Sequence, residues 1–442
     1  MNKILIDTHK NIHTATPSQV IRFFVYSIIG IFMFFIPVTM SGKSSIPLDH
    51  LVTLIREHIP SFVPIYVLIL IAAGVVYPFI KGTWKKSPVD LIFSLLKIVG
   101  LIVAIMIFLK IGPKWLFAPN MGPFLFDKLV IPVGLLVPLG SVFLALLVGY
   151  GLLEWIGVWV RPIMRVVWKT PRRSAVDAVA SFVGSYSLAL LITNRLFKEG
   201  KYTIREAVII ATGFSTVSAT FMIIVAKTLG IMEYWNLYFW ISMLVTFLVT
   251  AITVRIWPIS RKSDTYITGE GDPEPEYKSQ LWKNAWMEAM TAASQAAPLL
   301  RNIWSNLKDG LVMTMSILPS IMSVGFIGLV LAEFTPVFDW LAYLFYPVTW
   351  ILQIPEPMVA AKASAIEIAE MFLPALIAVK LPLVTKFIIA IVSVSAILFF
   401  SASIPCILST EIPISLWEII IIWFERTVLT LILATPIAFL LF

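Results

Sequence analysis

The chain has 442 residues, of which 59% are hydrophobic and 13% charged, against about 45–50% and about 25% in ordinary globular domains. With a mean hydropathy of +0.93 it has too little polar surface to cover a water-soluble body, so it reads as an integral membrane protein. The single cysteine, Cys406, excludes an internal disulfide and a thiolate-rich metal site. All four histidines (His9, His13, His50 and His58) precede the third predicted span, which leaves the bulk of the apolar chain without imidazole for acid–base or metal chemistry. An enzyme is not expected, nor is a cofactor.

The polar N-terminus, Met1–Gln19, leads into a first apolar run, Val20–Met40, too long for a signal-peptide core and lacking a small-residue cleavage site. A helical span needs about 20 apolar residues. Eight further runs approach or exceed this: Phe62–Ile80, Val89–Ile111, Leu129–Val160, Ile204–Ile231, Leu237–Trp257, Leu311–Leu331, Leu383–Ile404 and Ile414–Leu441. Ile46–Ile59 is short and amphipathic, and Phe334–Leu352 is aromatic with prolines. Polar residues interrupt Ser174–Phe197 and Met358–Val379. Ser260–Asp309 reads as a soluble insert with a Pro/Gly/Glu linker over Thr268–Glu276.

The net charge of +8 is distributed as the positive-inside rule expects of a multi-pass protein, and no basic stripe fits nucleic acid. Lys3, Lys10 and Arg22 put the N-terminus inside, and Lys81, Lys85 and Lys86 follow the second span. Arg161, Arg165, Lys169, Arg172 and Arg173 follow the fourth span, and Arg255, Arg261 and Lys262 follow the sixth. Lys198, Lys201 and Arg205 must lie on the same side, so Ser174–Phe197 should enter and return as a re-entrant hairpin. Setting Pro171 over Pro355 exposes an internal repeat: long span, interrupted hairpin, span with a Ser/Thr-rich middle, final span. The copies start on opposite sides, so Met358–Val379 should dip from the outside, as in inverted-repeat transporters. The expected fold is all-α: a polytopic helical membrane protein of two inverted repeats with re-entrant hairpins and interrupted helices. Its units are a tail and scaffold (1–128), a first repeat (129–258, hairpin 174–197), a cytoplasmic linker (259–309) and a second repeat (310–442, hairpin 358–379).

Candidate chemistry concentrates where the repeats place it. Asp177, Ser181 and Ser185 are spaced i, i+4, i+8 on one helix face, with Asn194 on the return arm. Ser215, Thr216 and Ser218 follow Gly213 in one span, and Ser401 and Ser403 precede Pro405 in the other; such clusters suit unwound helix centres whose freed carbonyls can hold a polar solute or cation. Small hydroxyl residues also let helices pack closely, and that reading stays open. Glu367 and Glu370, spaced i, i+3, are expected on one face of the second hairpin, where a carboxylate at membrane depth marks a solute or ion pathway; a salt bridge to Lys362 is the structural alternative. Glu425 is the better candidate of the Glu425–Arg426 pair to reach the core, and Lys97 and Lys227 read as snorkelling or paired.

The block from Pro171-Arg-Arg-Ser-Ala-Val-Asp to Gly213-Phe-Ser-Thr-Val-Ser-Ala-Thr-Phe221 resembles the nucleoside-recognition (Gate) domain of the YjiH-like bacterial membrane proteins. The resemblance extends from about residue 20 to the end and is distantly shared with concentrative nucleoside transporters. It implies a midplane site between two oppositely oriented hairpins, lined by Asp177, Ser181, Glu367, Glu370 and the broken-helix hydroxyls. The function expected is secondary transport of a small polar organic solute, nucleoside or nucleobase first, coupled to Na⁺ or H⁺. Amino acid-like metabolites, or a non-transporting role in regulation or assembly, are the alternatives. The expected partners are the solute and the lipid of a bacterial cytoplasmic (inner) membrane, with homo-oligomerisation left open. Nine crossings from an inner N-terminus put the C-terminus outside. A C-terminal alkaline phosphatase fusion should therefore be active and a green fluorescent protein fusion dark; the reverse result refutes the nine-span count.

Overall fold

The computed structural model describes residues 16–36, 38–40, 43–85, 88–118, 121–171, 174–175, 178, 186–217, 219–269, 271, 281–401, 403–408 and 410–442. Among these, seven helices are long and apolar enough to cross a membrane. Two further crossings predicted from the sequence are present as helices broken at their centres. The protein is an all-α, polytopic membrane protein built from two inverted repeats.

The N-terminal part comprises α1 (Pro17–Phe35), a small antiparallel hairpin of β1 (Val38–Met40) and β2 (Lys43–Ser45), α2 (Pro47–His58), α3 (Phe62–Lys81) and α4 (Pro88–Leu109). A capping box sets the start of α1: Thr16 and Gln19 satisfy each other's backbone N–H. Ile21 and Ile28 on α1, Ile69 and Ile80 on α3, and Ile102 on α4 are exposed, as faces meant for lipid require. The predicted span Val20–Met40 thus ends at Phe35, because the chain turns into β1.

The first repeat consists of α5 (Ile131–Val148), α6 (Leu152–Ile163), α7 (Tyr186–Lys198), α8 (Ile204–Gly213), α9 (Ala219–Leu229) and α10 (Trp235–Thr253). Leu129–Val160 is therefore two elements: the chain breaks at Gly149–Gly151, with Gly151 at φ +101°. The predicted insert is largely helical. Helix α11 (Leu281–Gln295) buries Ala285, Ala289 and Ala293, a stripe of period four, and packs on α6 and α1.

The second repeat runs through α12 (Leu299–Ser320), α13 (Phe326–Phe334), α14 (Val337–Ile351), α15 (Pro357–Ile366), α16 (Leu373–Ala378), α17 (Leu383–Ser395), α18 (Ser403–Leu408) and α19 (Leu416–Leu441). A π-helical turn over Ile321–Gly325 joins α12 to α13 just after Pro319. The described elements of both copies run in the same order: long helix, shorter helix, a hairpin segment (in the first copy its return helix α7), broken helix, final helix. The breaks follow Gly213 in one copy and Ser395 in the other. Ala207–Gly213 on α8 and Phe387–Ser395 on α17 are buried without interruption, so the broken helices form the centre of the molecule.

Contacts between element ends sort into two faces. On one face Lys198 pairs with Glu411 at 2.6 Å, Lys262 with Glu418 at 2.7 Å, and Arg255 donates to the carbonyl of Val166 at 3.1 Å. On the other, Lys227 pairs with Asp49 at 2.5 Å, Arg56 donates to the carbonyl of Asp127 at 3.3 Å, and Tyr234 packs on Phe442. The described ends of the first hairpin, near Trp168 and at Lys198, lie on the first face. Those of the second lie on the other, where Thr385 donates to the carbonyl of Pro355 at 2.9 Å and Phe387 packs on Phe442. The hairpins thus enter from opposite faces.

Helix α12 lies unusually close to the scaffold. A Cβ added at Gly74 on α3 would stand 1.7 Å from the Met315 carbonyl oxygen, and one at Gly100 on α4 would stand 2.2 Å from that of Pro319. Backbone cannot yield as a side chain can, so these helices must separate to admit even a methyl group. Gly74→Ala or Gly100→Ala should each destabilise the purified protein by about 1–3 kcal/mol, read as a lowered melting temperature, whereas Gly157→Ala, inside α6 with its Cβ in open space, should leave it unchanged or slightly raised, since alanine favours the helix.

Candidate functional site

The site starts from an obligation of the backbone. A helix broken at membrane depth frees N–H and C=O groups that no water can satisfy unless a cavity admits it. In the first repeat Phe214 leaves the helix, the Thr216 N–H turns back onto the Phe214 carbonyl at 2.8 Å, and Ser215 Oγ donates to the Ile210 carbonyl at 3.3 Å. Thr250 Oγ1, from α10, reaches the Gly213 carbonyl at 3.0 Å. A Cβ at Gly213 would stand 2.4 Å from Thr250 Cγ2, so glycine is what allows that approach.

In the second repeat Arg426, fully buried on α19, donates from Nε and Nη2 to the Ser395 carbonyl at 3.0 and 2.8 Å, and from Nη1 to Thr250 Oγ1 at 3.0 Å. A guanidinium thus meets the negative end of α17 and ties it to the helix that caps the first break. The chain then passes through Ile397 at φ +66°, a strained conformation for a β-branched residue. Ser403 Oγ, at the start of α18, accepts from the Phe399 N–H at 2.8 Å, one of the groups the break frees. The unwound strand also pairs with the unwound tip of the hairpin: Phe400 N–H donates to the Ile368 carbonyl at 2.7 Å and Ser401 N–H to that of Ala369 at 3.0 Å.

This pairing places the two glutamates. Helix α15 ends at Ile366, so the i, i+3 rule that predicts a shared face no longer applies beyond it, and the side chains diverge. Glu367 is fully buried toward α19, where Trp423 Nε1 donates to its Oε2 at 2.5 Å and its Oε1 has no partner. Glu370 accepts from the Ser401 hydroxyl and, at 3.4 Å, from the Phe372 N–H. It lines a cavity of about 190 Å³ together with Ser401, Val217, Lys97 and Ser316, roomy enough for several waters or a small polar solute at ~30 Å³ per water.

The structure therefore brings Glu370 and Ser401 together at a cavity that Val217, from the first break, also lines. Glu367 and Ser403 are adjacent but engaged elsewhere, and Ser215 and Thr216 are buried in the first break. Asn194 lies outside the group: its Oδ1 accepts from the Glu411 N–H at 3.0 Å. Asp177, Ser181, Ser185 and Ser218 lie outside the described residues. Lys362 pairs with Asp339 at 2.7 Å rather than with either glutamate, because α14 packs along α15. Of the α19 pair, Arg426 reaches the centre and Glu425 does not. Arg426, Lys97 and Ser316 are the residues that sequence reasoning missed. An ionisable side chain inside an apolar span is itself the signal for the first two.

A model of the Gate domain, described as nucleoside recognition, matches residues 130–232. An uncharacterized protein of Alkalihalophilus pseudofirmus is 33% identical over 451 residues, spanning 97% of this chain and 96% of the relative. Among solved structures, a CNTnw variant in an outward-facing state is similar at 15% identity and a TM-score of 0.43, covering 96% of this chain and 98% of that one. A CNTnw variant in an intermediate state gives 15% identity and 0.42, covering 93% and 98%.

Removing the guanidinium tests the role given to Arg426. Arg426→Met should destabilise by about 3 kcal/mol, since hydrogen bonds to a charged group worth ~1.5–3 kcal/mol each are lost while a buried charge is relieved. Arg426→Lys should fall between, and Glu425→Gln should melt like the parent.

Proposed function

The chain belongs to the same family as the uncharacterized Alkalihalophilus pseudofirmus protein and matches the Gate model over residues 130–232, and from that premise we propose that it is a secondary transporter of a small polar organic solute. It acts in the bacterial cytoplasmic membrane with its N-terminus inside. The observation that carries the reading is the buried Glu370, held at the unwound hairpin tip against an unwound helix and facing a cavity. Broken helices around a cavity near the middle of two repeats are how transporters build a site whose backbone groups can bind a polar solute. A carboxylate there supplies a charge that H⁺ or Na⁺ can neutralise, which couples solute movement to an ion gradient. Nucleosides or nucleobases, named by the domain's description, and amino acid-like metabolites are the solute classes open to it.

In this reading Glu370 and Ser401 bind and couple, while Glu367, Ser403, Ser215 and Thr216 hold the broken segments in place. Asp177, Ser181, Ser185 and Ser218 complete the set from the first repeat by its correspondence to the second. Glu367 and Glu370 then separate experimentally. Glu370→Gln should cut solute uptake into liposomes by about tenfold or more, the scale of a lost charge-assisted contact, with expression and melting temperature near those of the parent. Glu367→Gln should change stability through the Trp423 contact and leave the ion dependence of uptake unchanged. Normal, ion-responsive uptake by Glu370→Gln would refute its coupling role.

A further inference from the structure

Lys97 stands outside both repeats, on scaffold helix α4, yet it lines the same cavity as Glu370. Its Nζ donates to Ser316 Oγ at 3.3 Å, one bond for a group with three donors. Glu370 is committed to Ser401 and the Phe372 N–H, and among the described residues no ion pair joins it to Lys97. Asp90, in the first turn of α4, also lines the cavity, two helical turns and about 10 Å before Lys97. Phe93, Phe221 and Phe399 line the same cavity.

A cation and a carboxylate facing one cavity without pairing are costly at membrane depth unless something that enters the cavity answers both. An uncharged solute can hydrogen-bond to both but neutralises neither. A solute bearing an acidic group and an ammonium answers each with a charge-assisted bond, and the aromatic walls suit a short apolar body between them. From this arrangement we infer that the cavity takes a zwitterionic solute of the amino acid class, with Lys97 and Ser316 holding its carboxylate and Glu370 and Ser401 its ammonium. The inference rests on the transport reading and chooses among its solutes. It also gives a scaffold helix a direct part in recognition, so specificity is shared between the repeats and α4.

The test uses the purified full chain and four probe series: the common amino acids, their amides (carboxylate removed), their N-acetyl derivatives (ammonium removed), and nucleosides with nucleobases. Ligands that bind the folded state raise the melting temperature, and titration calorimetry then gives affinities. At least one zwitterion should bind, and removing either of its charges should weaken it by about tenfold or more. Lys97→Met should reduce the zwitterion to the affinity of its amide while leaving the amide's own affinity unchanged, and Lys97→Arg should restore part of the difference. Glu370→Gln should erase the difference between the zwitterion and its N-acetyl derivative. Binding of nucleosides by the parent and by Lys97→Met alike, with no zwitterion bound, overturns this assignment and leaves the transport reading standing. A folded parent that neither binds nor moves any of the four series in liposomes overturns both.

Discussion

Everything at the centre of this molecule follows from one requirement: a backbone carbonyl or amide released inside a membrane must find a partner within the protein. Two helices are broken there, and the groups they free are answered in three ways. Thr250 answers the first break, Arg426 answers the second, and the unwound stretch after α17 bonds to the unwound tip of the hairpin. Arg426 also bonds to Thr250, so one side chain holds together the caps of both repeats. The breaks are thus parts of a single polar cluster enclosed by apolar helices.

That cluster explains why two glutamates one helical turn apart in sequence do different things. Where α15 ends, the chain is free to turn one carboxylate toward the indole of Trp423 and the other toward the cavity. Glu367 lies with the aromatic and guanidinium groups of α19, at spacing i, i+3 on one face, whereas Glu370 faces open volume. The glutamate pair expected from spacing alone becomes one fastening and one candidate binding group.

Much of this was legible in the residues. Hydrophobic runs marked the spans, and basic clusters at both ends of Ser174–Phe197 marked a segment whose described ends lie on one face. The repeat placed both breaks close to where they are found, because Gly213 and Pro405 stand beside hydroxyl clusters in both copies. What sequence could not supply was direction. Helical periodicity lapses where a helix ends, so the divergence of Glu367 and Glu370 had no trace in their spacing. Lys97 and Arg426 resembled boundary or paired charges because their partners, Ser316, Ser395 and Thr250, lie far away along the chain. Leu129–Val160 read as one span because Gly149 and Gly151 interrupt hydrophobicity too briefly to register.

The close approach of α12 to the scaffold has a mechanical consequence. With Gly74 and Gly100 seated against the carbonyls of Met315 and Pro319, α12 has no room to slide or roll on α3 and α4. Ser316 and Ser320 lie on that same stretch of α12 and line the cavity beside Lys97. This side is therefore an anvil, rigid through contact of backbone on backbone. The opposite side is hung from hydrogen bonds between unwound strands, which can be exchanged one at a time. In the transport reading, the stroke that opens the cavity first to one side of the membrane and then to the other falls to the hairpin and its strand, with the scaffold keeping still.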